Sequence, residues 1–246
     1  MVAAWPGVGE VALIVVRYLR DKLQAEEFAE LEAFHFFEPG GVLVKDNVVE
    51  TPHFPGSKLY FWRNPTGNED LVLFIGDEQP AAKAYDLAGC VLKAAQHLKV
   101  KRIYTCAAAL ARIHHMEKPK VWLVATRQDL LAVAAKHNLN IGGGNFQIAG
   151  LNGLLLGAAK EQGMDALCLL GEVPVYATRV SHPKAALVVL EVLSRELGVA
   201  VDTTELNDWA NKAQEEMKKL ASEAMGEFIQ HFTQPLWEQN PQGGEE

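Results

Sequence analysis

The residues with the clearest potential for chemistry lie in a glycine-rich stretch, IGGGNFQIAGLNGLLLG, at positions 141–157. A glycine-rich turn that leads into a helix can hold a phosphate group against free backbone N–H groups. The stretch lacks the Lys-Ser or Lys-Thr pair of a P-loop, and Gln147 stands where a dinucleotide-binding fingerprint has its third glycine. A weaker anion site remains at Gly150, Asn152 and Gly153, where a helix is predicted to begin. Alternatively, the glycines only permit a tight turn that packs this helix closely, with Asn152 as its cap.

Acidic residues follow two predicted strands and could perform acid–base chemistry. Asp77 and Glu78 come after the apolar run LVLFIG, and Glu172 comes after ALCLLG. Open α/β sheets bind ligands at the carboxyl ends of their strands, so we expect these acids there, with Asp77 and Glu78 at a helix N-terminus. If the two strands are neighbours, Glu78 and Glu172 could form a carboxylate pair, with Tyr176 also at this edge. Alternatively, acids at a helix N-terminus only stabilise the helix dipole.

No complete catalytic motif is present in the sequence. It has no G-x-S-x-G nucleophile elbow, and the adjacent His114 and His115 lack the spacing and third ligand of a zinc site. The three cysteines are far apart, so they form neither a disulfide framework nor a local CxxC site. The sequence therefore predicts no metal and no cofactor, and it favours a protein that is not an enzyme.

Composition and charge exclude two classes of partner. The chain has 246 residues, of which 49% are hydrophobic and 22% charged, and its formal net charge is −8. Lys and Arg are dispersed, which is unlike the basic footprint of a nucleic-acid-binding protein. No apolar run reaches the roughly 20 residues of a membrane-spanning helix, and the N-terminus has no basic signal-peptide region. We therefore expect a cytoplasmic protein without nucleic-acid or membrane partners.

Strand-like and helix-like runs alternate along the chain, which predicts an α/β fold with a mainly parallel sheet. A helix is predicted from Pro80, and another begins at Pro183 and ends before Gly198. The runs ELEAFHFFEPGG (30–41) and VLVKDNVV (42–49) are predicted as strands around a Pro-Gly-Gly turn.

Three regions follow from this pattern. Residues 1–201 are predicted as an α/β core domain, residues 202–234 as one amphipathic helix, and residues 235–246 as a disordered tail. The apolar face of the helix must be buried, either on its own core or against a partner such as a second copy. The residues expected on the partner-binding helix are Leu206, Trp209, Ala213, Met217 and Leu220.

Three segments in series resemble the family of the second proteasome assembly chaperone and its archaeal and bacterial relatives. They are WPGVGEVALIVVRYL, IGDEQP, and AGLNGLLLGAAKEQGMDALCLLGEVPVY followed by HPKAALVVLEVLSRELGV. Their order and spacing are similar to the family from Trp5 to about Met217. The resemblance implies a three-layer α/β/α sandwich like that of nucleoside phosphorylases, homo-oligomers, and protein binding as an assembly chaperone or scaffold.

Proteasome subunits are a further partner class that the resemblance implies, but the sequence departs from the family at one point. Members that bind proteasomes use a C-terminal tail ending hydrophobic-Tyr-any, whereas this sequence ends Gly244-Glu245-Glu246. Such an end lacks the aromatic anchor that a pocket would bind. The sequence thus leaves two functions open: a non-enzymatic homo-oligomer that acts by protein contacts, or a phosphate- or nucleotide-binding protein or enzyme with a phosphorylase-like pocket at the strand ends.

Overall fold

The structure, a computed structural model, describes residues 1–66, 69–142 and 144–233, with the side chains of the last helix described as far as Lys219. Two predictions lie outside this description: the disordered tail at 235–246 and the side chain of Leu220.

The centre of the fold is a mixed sheet of eight strands in the order β2-β5-β6-β1-β7-β10-β8-β9. Strands β6, β1, β7 and β10 run parallel to one another, whereas β5 and β8 join them antiparallel on either side. Strands β3 and β4 form a separate two-stranded hairpin. The strands are β1 (Val2–Ala4), β2 (Glu26–Glu30), β3 (Val44–Lys45), β4 (Val48–Val49), β5 (Ser57–Trp62), β6 (Leu71–Gly76), β7 (Arg102–Ala111), β8 (Val121–Ala125), β9 (Asn140–Ile141) and β10 (Asp165–Pro174).

Helices cover both faces of the sheet and confirm the predicted three-layer sandwich. Successive strand residues point to opposite faces, so Val2 and Ala4 join one hydrophobic core while Ala3 and Trp5 join the other. Helices α1, α3, α5 and α6 contribute to the first core, and α2 and α4 to the second. The helices are α1 (Val11–Leu23), α2 (Ala84–His97), α3 (Ala132–His137), α4 (Leu151–Glu161), α5 (Pro183–Leu197) and α6 (Thr204–Thr233).

Two predicted helix starts have different outcomes. Pro183 is the first residue of α5, and Gly198 ends that helix in the left-handed conformation with φ 66°, as the sequence predicts. The prediction that a helix begins at Pro80 is wrong, because α2 begins at Ala84. Lys83 adopts φ 59°, a left-handed conformation that interrupts a helix, so the preceding residues form a loop.

The prediction of two strands within residues 30–49 is also wrong. Strand β2 ends at Glu30, the residue where the first of the two strands was expected to begin. Residues Ala33–His35 form a single 3-10 turn. Within residues 31–49 the strands are those of the short hairpin of β3 and β4, whose turn residues Asp46 and Asn47 have φ values of 50° and 63°. Positive φ at both turn positions is the geometry of a tight hairpin turn, which folds this segment on itself and away from the large sheet.

The first turns of α6 pack on the core of the same chain. Leu206 and Ala210 are buried in the cluster that contains α1 and α5. The Lys22 ammonium lies 2.9 Å from the Glu205 carboxylate, and the Tyr18 hydroxyl donates a 2.8 Å hydrogen bond to the Asp202 carbonyl. The beginning of α6 is therefore part of the folded unit.

Among the helices that the structure describes, none is both long enough and apolar enough to cross a bilayer.

We predict that Leu206→Ala lowers the free energy of unfolding by about 2–5 kcal/mol, because it leaves a cavity between α6 and the core. Lys212→Ala on the same helix is the matched control, since Lys212 is exposed and its substitution should change stability by no more than about 0.5 kcal/mol. Urea unfolding followed by circular dichroism measures both. Equal effects of the two substitutions would contradict the packing described for α6.

Candidate functional site

Asn152 joins α4 to the end of the central strand β1. Its side chain is buried, its Oδ1 accepts a 3.1 Å hydrogen bond from the Trp5 N–H, and its Nδ2 donates a 3.2 Å bond to the Trp5 carbonyl. The predicted role of Asn152 as a helix cap is wrong, because Gly150 occupies the N-cap and Asn152 lies inside the first turn. The side-chain amide instead satisfies both backbone groups of Trp5, at the residue where the chain leaves the sheet.

The side chain of Gln79 lies against the N-terminus of α4. Its Oε1 accepts a 2.8 Å hydrogen bond from the Leu151 N–H, and its Nε2 donates to the Pro6 carbonyl. The Gly150 carbonyl accepts hydrogen bonds from the N–H groups of Gly153 and Leu154 at 3.1 Å and 2.9 Å. Two of the N–H groups that could bind an anion at this helix terminus, those of Leu151 and Gly153, therefore already have partners within the chain.

The glycines at the start of α4 are explained by close packing. Gly150 has φ 75°, and a Cβ atom there would lie 2.7 Å from Gln79 Oε1. A Cβ atom at Gly153 would overlap the carbonyl of Ile148. Gly150, Asn152 and Gly153 thus lie in a turn where the N–H groups of Leu151 and Gly153 and the Asn152 side chain bond to the chain itself.

The Trp5 side chain fills the space at this edge of the sheet. It is fully buried, and its ring centroid lies 4.9 Å from that of Phe74. A Cβ atom at Gly76 would overlap the Trp5 indole, so the glycine at the end of β6 allows the ring to lie over the strand.

Asp77 and Glu78 lie in an exposed loop. The prediction that they begin a helix is wrong, since α2 starts at Ala84. The Asp77 carboxylate pairs with the Arg17 guanidinium of α1 at 3.1 Å, and Glu78 is exposed.

Glu172 lies inside β10 and not beyond its end, because the pairing of β10 with β7 continues to Pro174. Its buried carboxylate accepts hydrogen bonds from the Lys120 N–H at 2.9 Å and from Trp122 Nε1 at 3.0 Å. Strands β6 and β10 are separated by β1 and β7, which is about 14 Å at the usual strand spacing. The structure therefore does not bring Glu78 and Glu172 together as a carboxylate pair.

Tyr176 is exposed just beyond β10. Its hydroxyl accepts a 2.8 Å hydrogen bond from the His115 N–H and lies 3.1 Å from His115 Nδ1. Burial, together with the neighbouring His114 and Lys184, lowers the pKa of His115. An adjoining pocket of about 20 Å³ between β10 and α6 is far below the roughly 300 Å³ that a small-molecule site needs.

The predicted residues of the partner-binding helix differ in how deeply they are buried. Leu206 is buried within its own chain and is not accessible to a partner, whereas Trp209 is exposed. Ala213 and Met217 are half-buried and line the small pocket beside β10.

His182 is a structurally important residue that the sequence analysis missed. It is buried, its Nε2 lies 2.6 Å from the Ala177 carbonyl, and its N–H donates a 2.8 Å bond to the Gly9 carbonyl. Gly9 has φ 63°, and a Cβ atom there would lie 2.9 Å from the His182 ring. His182 thus links the loop after β1 to the start of α5 by hydrogen bonds and packing. In the sequence, its position directly before Pro183 could have indicated a role at the helix start.

Within the described ranges, no group of three His, Cys, Asp or Glu side chains is placed to hold a metal ion.

The fold and the strand-end edge define a three-layer α/β/α protein in which side chains of the chain itself close the edge where such proteins commonly bind ligands. The PAC2 family model matches residues 1–221, and the chain belongs to the PAC2 family.

Proteins of known structure and sequence are similar to the chain over most of its length. The archaeal proteasome activator PbaB of Pyrococcus furiosus is 29% identical, with a TM-score of 0.76 over 89% of this chain and 92% of that one. A PAC2 family protein of Streptomyces avermitilis is 25% identical, with a TM-score of 0.75 over 93% of this chain and 98% of that one. The uncharacterized protein MJ1210 of Methanocaldococcus jannaschii is 26% identical over 223 residues, which is 89% of this chain and 82% of that one.

We predict that Asn152→Ala lowers the free energy of unfolding by about 2 kcal/mol or more, because it leaves the buried N–H and carbonyl of Trp5 without partners. Asn211→Ala, at an exposed position of α6, is the matched control and should stay within about 0.5 kcal/mol of the native chain. Urea unfolding measures both. An Asn152→Ala protein as stable as the control would show that this contact is dispensable.

A second prediction concerns pH. Burial lowers the pKa of His182 below its ordinary value of 6.5. Below that pH the unfolded chain binds more protons than the folded chain, so stability falls as the pH decreases from about 7 through 6.5. We expect His182→Gln to reduce the slope of the unfolding free energy against pH in this window. Identical slopes for the two proteins would contradict the assignment.

Proposed function

We propose that this protein is a cytoplasmic, self-associating assembly chaperone or scaffold that acts by protein contacts and not by catalysis. The observation that carries the proposal is the occupation of the strand-end edge by Gln79 and Asn152, which bond to Leu151 and Trp5. A ligand that bound at the start of α4 would have to displace these contacts. Each displaced polar group would then have to find a new partner.

The acidic residues also support this proposal over a small-molecule enzyme. A general acid–base pair requires two groups within reach of one substrate. The carboxylate of Glu172 is held by Lys120 and Trp122, and Glu78 follows β6, which β1 and β7 separate from β10. A reaction at this edge would therefore lack its second group.

The relatives support a protein partner. PbaB is described as an archaeal proteasome activator, and its identity to this chain is 29% across most of both proteins. Proteasome subunits are therefore one candidate class of partner. A second copy of the chain is another, and exposed Trp209 on α6 is the predicted helix residue that remains available to either.

The proposal predicts no thermal stabilisation by inorganic phosphate, ribose phosphate or ATP at millimolar concentration. A ligand at 100 times its Kd would add about 2.7 kcal/mol to the unfolding free energy. For a chain of this size that corresponds to a rise in Tm of roughly 5–10 °C, so a rise below about 1 °C is the expected result.

Light scattering over a concentration series, on the same preparation, is expected to give the mass of two or more chains of 27.0 kDa each. A ligand-dependent rise in Tm that Gln79→Ala or Asn152→Ala alters would support the small-molecule function instead. A mass of one chain at every concentration would contradict the proposed self-association.

A further inference from the structure

We propose that a hairpin on one copy of the chain docks on a basic patch at the ends of β7 and β10 of a second copy. This inference rests on the proposed self-association, and it names the two surfaces through which the copies would associate. The apolar hairpin is residues 42–49. The basic patch is the surface formed by Leu110, Arg112, Met116, Lys118, Lys120, Val175, Tyr176, Arg179 and Val180.

The apolar hairpin exposes more hydrophobic surface than its size can stabilise. Its five large aliphatic side chains are between 51% and 67% exposed: Val42, Leu43, Val44, Val48 and Val49. Each of its strands is two residues long, and among the described strands they pair only with each other. An isolated two-stranded hairpin is marginally stable in water, so a covering surface would stabilise both its side chains and its backbone pairing.

The hairpin lies in a strongly acidic segment. Residues 26–50 contain seven acidic residues and a single lysine, Lys45. Glu27 pairs with Lys58, and Glu32 lies 3.4 Å from the His35 ring. In the described part of the chain the other five form no ion pair, namely Glu26, Glu30, Glu38, Asp46 and Glu50.

The basic patch provides a second exposed apolar surface. Its large apolar side chains are between 43% and 61% exposed: Leu110, Met116, Val175, Tyr176 and Val180. The Val175 N–H bonds to the Ala111 carbonyl, and Tyr176 bonds to His115, so the ends of β7 and β10 hold these residues together.

The charges of the patch are opposite to those of the hairpin segment. Arg112, Lys118, Lys120 and Arg179 are exposed, and none of them forms an ion pair with a residue that the structure describes. The acidic residue among them, Glu117, accepts a 2.8 Å hydrogen bond from the His114 N–H.

The two surfaces fit each other in both apolar character and charge. A protein interface commonly has an apolar centre and a polar rim of complementary charge, which gives specificity and speeds association. The hairpin is connected to β2 and β5, whereas the patch lies at β7 and β10, with β6 and β1 between them. Both surfaces remain exposed in a single chain, so their contact requires a second copy.

Two variants, each defective in one surface, test the inference. The hairpin variant is Leu43→Thr with Val48→Thr, which places β-branched residues at both positions but removes apolar surface. The patch variant is Lys118→Glu with Arg179→Glu. The matched control is Lys93→Glu with Lys160→Glu, which makes the same charge change at exposed positions of α2 and α4. Circular dichroism and Tm establish that every variant is folded.

Sedimentation velocity over a concentration series measures self-association. We expect the control to associate like the native chain, and each variant alone to have a dissociation constant at least about tenfold higher, which is roughly 1.4 kcal/mol. An equimolar mixture of the two variants is expected to recover 1:1 pairs. A mixed pair retains one intact contact between hairpin and patch, whereas neither variant retains any with itself.

The other outcomes separate this inference from the proposed function. If both variants associate like the native chain, self-association stands but these surfaces do not carry it, and the inference is overturned. If each variant is defective and the mixture stays monomeric, the two surfaces do not pair with each other, which also overturns it. If the native chain itself is monomeric throughout, the proposed self-association and the inference both fail.

Discussion

The structure depends on one pair of hydrogen bonds, those between the side-chain amide of Asn152 and the backbone of Trp5. Strand β1 is only three residues long, yet it lies between β6 and β7 at the centre of the sheet. Where it ends, its N–H and carbonyl need partners inside a hydrophobic core, because an unpaired buried backbone group is costly. Asn152 supplies both partners from the first turn of α4 and so fixes that helix against the sheet.

The close approach of α4 explains much of what surrounds it. Gly150 and Gly153 are needed where Gln79 and the Ile148 carbonyl come near the helix backbone, and Gly76 is needed under the Trp5 ring. The edge that often binds nucleotides in α/β proteins is therefore filled by the chain itself. The hairpin and the ends of β7 and β10 carry exposed apolar residues, which the proposed protein contacts would cover.

The sequence predicts the parts of this fold that depend on regular patterns. The alternation of strands and helices, the start of α5 at Pro183 and its end at Gly198 follow from local rules of periodicity and capping. The family resemblance, carried by segments that now lie in α1, α4, β10 and α5, predicts the three layers. The match of the PAC2 family model over residues 1–221 confirms this family resemblance.

The parts that the sequence does not predict depend on contacts between distant residues. Gln79 meets Leu151 across 72 positions, and no local pattern indicates that its side chain fills the start of α4. Glu172 follows a glycine that resembles a strand end, but β7 and β8 continue to pair with β10 around it. The hairpin at 42–49 carries an apolar sequence suited to a core strand, yet it is exposed, because its turn folds it on itself.

Gln79 and Asn152 close the strand-end edge, and we expect the exposed surfaces to make the functional contacts. Hydrogen–deuterium exchange at low and high protein concentration, with and without millimolar phosphate or ATP, distinguishes this arrangement from an open ligand site. We expect peptides covering 42–49, 110–120 and 175–180 to become protected as concentration rises, while peptides covering 150–155 are protected throughout and unaffected by either compound. Protection of 150–155 that depends on phosphate or ATP, with no effect of concentration at the other segments, would contradict it.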